Sequence, residues 1–175
     1  MTTTLTTGPV PRLRATAGPA LLSYGFRPFF LFAGGWAAAT LTLWMLSFLG
    51  FLDLSTVFHP LAWHAHEMLF GFAAAAVAGF ILTAVPNWTG RLPLQGRPLL
   101  FLIALWLLGR VAMITSAIIG GWTAAVLDVA FLAVLLAAVA REIVAGRNWR
   151  NLPVVAALAF LCGANVAFHI GALTT

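Results

Sequence analysis

The sequence predicts an all-α, polytopic membrane bundle of about five transmembrane helices, and three observations predict it. Hydrophobic residues make up 62% of the chain and charged residues 7%, with a mean hydropathy of +1.03, whereas soluble domains hold roughly 45–50% and 25%. The apolar residues fall into five runs, each close to the ~20 residues that a hydrocarbon core requires. Only helices and closed barrels satisfy the backbone in lipid, and these runs lack the ~10-residue alternation of barrel strands.

Residues 1–27 are rich in Thr, Pro and Gly and carry Arg12, Arg14 and Arg27. Such a segment is too polar to bury and reads as a cytoplasmic tail ahead of a single transmembrane domain over 28–175. The first apolar run, 28–50, exceeds the ~7–15 residues of a signal-peptide core, so a spanning helix is expected there and not a cleaved leader. A second helix is expected over 60–85, with Pro60 in its first turn, where a missing N–H costs nothing. Further helices are expected over 98–119, 121–140 and 152–172, the third and fourth joined by the short Gly120-Gly121 turn.

Charge gives the orientation. The formal charge of +5 arises from nine arginines, with no lysine, against Asp53, Glu67, Asp128 and Glu142. Outside the spans, the arginines fall before helix 1, between helices 2 and 3, and between helices 4 and 5, whereas residues 51–59 and the Gly120-Gly121 turn contain none. The positive-inside rule then places the N-terminus in the cytoplasm and the C-terminus outside. The basic residues form no dense stripe, so nucleic acid is not an expected partner. One cysteine, Cys162, excludes an intrachain disulfide. No phosphate loop, Ser/His/Asp triad or hydrolytic carboxylate pair is present.

The chemistry concentrates in "FHPLAWHAHEMLFGF", residues 58–72. His59 falls at the outer boundary, while His64, His66 and Glu67 lie about 6–10 Å deeper at 1.5 Å per residue. On an ideal helix His64 and Glu67 share a face, and His66 turns to nearly the opposite side. Below His64 run Gly71, Ala75 and Gly79, small residues that admit a close neighbouring helix. Phe70, Val77 and Phe80 flank the His66 side, which should meet lipid or a flat apolar ligand. On the fifth helix Cys162, Asn165 and His169 form one stripe, and His169 reaches the same outer depth.

Such a cluster supports three readings. A lone histidine in a span usually satisfies a neighbour's backbone or reaches for the interface. Ionisable clusters inside spans, by contrast, mark cofactors, ion paths or proton relays. Imidazole is a common ligand of haem iron and copper, which makes His64, His66 and His169 candidate cofactor ligands, with Glu67 and Cys162 as further metal donors. Glu67 also suits an outer carboxylate on a ligating histidine, or a partner for an arginine of another helix. Because the Gly120-Gly121 turn forces helices 3 and 4 to be antiparallel neighbours, Arg110 and Asp128 are expected to form a buried ion pair; a haem propionate is the rival partner for Arg110. Trp63, Trp88, Trp122 and Trp149, near helix ends, read as an aromatic belt.

The stretches "YGFRPFFLFAG", "WHAHEMLFGFAAAAVAGFILTAVPNWTGR" and "LWLLGRVA" resemble the NnrS family of bacterial inner-membrane proteins associated with haem, copper and tolerance of nitric oxide. The resemblance is strong over residues 24–115 and looser through helix 5. It implies haem or copper binding at His64 and His66, and it also covers Arg27, Asn87, Trp88 and Arg91, to which no role is attached. Family members usually carry about twice as many helices, so the chain resembles an N-terminal portion, a shortened member, or a half that pairs with a second half or another copy. The expected function is haem or copper binding in the nitric oxide response, at a multi-pass site in the inner membrane. The alternative is half of a proton- or metal-ion-coupled transporter using the same histidines, and a purely structural membrane subunit is the third reading.

Overall fold

In the computed structural model, which describes residues 18–174, every regular element is helical. Five helices are long and apolar enough to cross a membrane: α1, Phe26–Phe48; α2, Pro60–Thr89; α3, Arg97–Ile114; α4, Gly121–Ala145; and α5, Leu152–Thr174. This is a membrane protein. Of the polar segment expected over 1–27, residues 1–17, including Arg12 and Arg14, lie outside the described residues.

Several boundaries differ from the expected ones for local reasons. Helix α2 runs past residue 85, with Pro86 inside its last turn, and it ends where Gly90 adopts φ 68° in a left-handed cap. The expected third helix breaks at Thr115, and Ser116–Ile119 form a separate short helix. Ser116 accounts for the break. Its hydroxyl accepts from Val57 N at 3.0 Å and lies 3.0 Å from Thr56 Oγ1, tying this corner to the loop before α2. Gly120, at φ 90°, then reverses the chain into α4, a conformation that side chains other than hydrogen rarely adopt.

The interior of α2 is not a uniform α-helix. Pro60–His66 is α-helical, Glu67–Ala73 is a π-helix, and Ala74–Thr89 is α-helical again. Within the π-helix Gly71 O, which already accepts from Ala74 N, also accepts the indole N–H of Trp106 at 3.1 Å. Such segments recur at functional sites.

Helix α4 is central, packing against α2, α3 and α5, while α1 packs mainly on α2. The chain alternates direction. Gly96 N bonds Leu22 O, Arg91 pairs with Glu142, and Asn148 Nδ2 donates to Trp88 O, so the arginine-bearing connections share one end. At the other end, Ala117 N bonds Ser55 O, and Gly121 lies against Val57 and Leu173. An apolar core of Phe29, Ala74, Leu99, Trp106, Phe131 and Leu135 fills the space between. Lipid is as apolar as these side chains, so close fit and interhelical hydrogen bonds hold the helices together. Small residues permit that fit. A Cβ on Gly109 would lie 3.1 Å from Asp128 Cα, so α3 and α4 approach backbone to backbone there.

Candidate metal centre

Each of the five helices sends a polar side chain to one region of the interior, near the Gly120 end. Arg110 on α3 is the hub. Its Nη1 donates to Glu67 Oε2 on α2 at 2.7 Å, and its Nη2 donates to Asp128 Oδ1 on α4. Trp36 Nε1 on α1 donates to the same Glu67 Oε2 at 2.7 Å. Gly71 lies beneath them by necessity, since a Cβ there would come within 2.8 Å of Arg110 Nη1, Glu67 Oε2 and Trp36 Nε1. All three ionisable groups are buried, and a charge at this depth persists only when paired.

His66 joins the two carboxylates. Its Nδ1 lies 3.2 Å from Glu67 Oε1, and its Nε2 lies 2.9 Å from Asn165 Oδ1 and 3.2 Å from Asp128 Oδ2. Asn165 Nδ2 donates to Asp128 Oδ2 at 2.8 Å, and His169 Nε2 lies 3.0 Å from that oxygen. Both histidines on this carboxylate are buried.

These contacts set a charge condition. A neutral imidazole carries one N–H, so whichever ring nitrogen of His66 holds it, the other turns a lone pair toward a carboxylate oxygen. The same surplus appears in the count of charges, because Glu67 and Asp128 outnumber Arg110 by one. A cation taken by its Nε2 would balance both. The atoms that converge there, His66 Nε2, Asp128 Oδ2 and His169 Nε2, lie within 4.8 Å of one another. Two imidazoles and a carboxylate are a donor set suited to copper, zinc or iron. His169 Nδ1 is buried with no hydrogen-bond partner among the described residues.

The residues fit an ion and do not fit a porphyrin at this point. The His66 ring is enclosed by Phe168, Phe70 and His169, with ring centroids at 4.7, 5.0 and 5.1 Å. The flank of His66 that the sequence offered to lipid or a flat ligand is therefore filled by protein. Helix α2 has neighbours on more than one side, so His66 and Glu67 both face inward although adjacent residues diverge on a helix.

The other sequence candidates separate from this group. His64 is not drawn into it; its ring stacks on Trp44 at 4.6 Å, with Nδ1 unpartnered among the described residues. Cys162, half-buried, packs against the apolar core one turn from Asn165 and is not among the clustered donors. His59 caps α2, its Nδ1 accepting from Leu61 N at 3.4 Å. Arg27 Nη1 donates to Ala20 O at 2.9 Å, Asn87 Nδ2 donates to Thr83 O at 3.1 Å, and Arg91 pairs with Glu142, all at the opposite end from His66. Trp63 departs from the belt reading, being fully buried. Sequence reading treated Asp128 only as the partner of Arg110 and missed Trp36. The signal for Asp128 was its rarity, an acid in a 25-residue apolar helix.

No curated protein and no solved structure matches this chain. The sequence model described as NnrS protein matches residues 20–175, which include all five helices and every residue of the cluster, and the chain therefore belongs to the NnrS family.

Proposed function

We propose that this chain acts in the nitric oxide response of a bacterial inner membrane by holding one metal ion, copper by preference, between His66, Asp128 and His169. The observation that carries the reading is the convergence of three buried donor atoms within 4.8 Å in an interior whose carboxylates exceed its guanidinium by one. Family membership supports the nitric oxide context. Haem, the other cofactor expected from the resemblance, finds no room at this point, so the proposal rests on an ion alone.

The protein's own residues prepare the site. Glu67 Oε1 accepts a hydrogen bond from His66 Nδ1–H, which fixes the ring and turns the Nε2 lone pair toward Asp128, His169 and Asn165 Oδ1. Arg110 and Trp36 hold Glu67 by its other oxygen, and Asn165 orients Asp128 Oδ2. The surrounding phenylalanines exclude water. A bound copper or iron ion would supply a position for a small diatomic ligand.

A second reading has its own support. His66 bridges Glu67 and Asp128 through its two nitrogens, which is also the wiring of a proton relay in half of a coupled transporter. One experiment separates the two. Cells lacking the chain are challenged with a nitric oxide donor and complemented with the parent or with Asp128→Asn, while the purified parent is assayed for proton flux in liposomes. Restoration by the parent alone with no flux supports the metal reading; flux without any effect on nitric oxide sensitivity supports the relay.

A further inference from the structure

The arginine-bearing end carries a feature that the buried cluster does not use. Trp88, Asn148, Arg150 and Asn151 line a polar pocket of about 380 Å³ where the α4–α5 connection meets the end of α2. Trp88 also forms one wall of an apolar groove of about 480 Å³ between α2 and α5, whose other walls include Val77, Phe80, Pro153, Ala157 and Leu161. Polar pocket and apolar groove thus join at one half-buried indole. A tryptophan in that position suits the boundary between headgroups and acyl chains.

We propose that this composite surface binds an anionic phospholipid, its phosphate held by Arg150 and Asn151 and one acyl chain laid in the groove between α2 and α5. Charge favours an anion. This end carries Arg27, Arg91, Arg97, Arg141, Arg147 and Arg150 with Glu142 as its acid, and Glu142 is already taken by Arg91 and approached by Arg141 at 3.8 Å. Arg150 is exposed and has no ion-pair partner among the described residues. The pocket is held in shape, because Asn148 Nδ2 donates to Trp88 O and Asn151 Nδ2 donates to Asn148 Oδ1 at 3.0 Å. Asn151 directly precedes the N-terminus of α5, whose dipole adds to the field on a phosphate. The groove selects a lipid over a free phosphate, and the lack of a carboxylate among the pocket residues disfavours a headgroup with its own ammonium. His66 lies at the other end of α2, so this site stands or falls apart from the metal reading.

The full-length chain, delipidated in detergent, is tested by native mass spectrometry and thermal melting with phosphatidylglycerol, phosphatidylcholine of the same chains, and glycerol phosphate. Phosphatidylglycerol should be retained and should raise the melting temperature, with phosphatidylcholine several-fold weaker and glycerol phosphate without effect. Arg150→Gln should weaken phosphatidylglycerol about fivefold, the effect of one basic residue near a charged surface. Ala157→Trp, which fills the groove, should weaken both lipids, and Arg97→Gln, at the same end but outside the pocket, should weaken phosphatidylglycerol clearly less than Arg150→Gln does. Equal retention of the two lipids, or an Arg150→Gln variant that binds like the parent, overturns the proposal. A full thermal shift from glycerol phosphate overturns it too, reassigning the pocket to free phosphate.

Discussion

His66 Nε2 lies 3.2 Å from Asp128 Oδ2, on two helices that the sequence separates by a whole further span, and both side chains are shut off from solvent. The contact joins two subsets of one network. On one side Glu67 is held by Arg110 and Trp36; on the other Asp128 is held by Arg110, Asn165 and His169. Because all five helices contribute, the network sets the assembly of the bundle as well as the geometry of the proposed ion site.

Arg110→Gln should leave two buried carboxylates without their shared cation and cost about 3–5 kcal/mol. Asp128→Asn in the same chain should restore part of that loss, because one of the two excess charges goes with it. Unfolding in detergent, followed by circular dichroism, measures both. A double variant no more stable than Arg110→Gln would mean that the two groups are not coupled.

Gly71→Ala tests the packing directly. The added Cβ would press on Arg110 Nη1, Glu67 Oε2 and Trp36 Nε1. These are well-held groups in a closed interior, so a cost of about 1–3 kcal/mol is expected. Gly163→Ala, where a Cβ meets nothing within 4 Å, should cost little in the same measurement. Equal tolerance of the two changes would argue against the close approach beneath Arg110.

Topology follows from the arginines and not from the packing. A reporter enzyme active only outside the cytoplasm should work when fused after Phe51 and fail after Gln95 or Gly146. Activity after Gln95 would reverse the orientation and put the cluster on the cytoplasmic side.

Sequence alone made the helices legible, since apolar runs of spanning length have few other uses, and it brought Arg110 and Asp128 together through the short Gly120-Gly121 turn. The site was only half legible. Helical spacing correctly puts His66 about 160–200° from His64, but it assumes that a helix has one buried side. Half of the apolar window of α2 is buried, the largest share of the five spans, so His66 and Glu67 both face protein. The π-helix over Glu67–Ala73 gives no sequence signal beyond Gly71, and Trp36 could not be separated from belt tryptophans without its partner in view. Cys162 shares a stripe with Asn165 and His169, yet it lies a turn too deep to reach them.

Metal analysis of the detergent-purified chain and its variants at matched folded yield tests the central claim most directly. The parent should hold about one ion per chain; His66→Ala, His169→Ala and Asp128→Asn should each lose most of it, while His59→Ala and His64→Ala, whose side chains lie outside the cluster, should keep it. A parent that takes up no copper, zinc or iron, or an ion retained in full by the His66, His169 and Asp128 variants, would contradict the account.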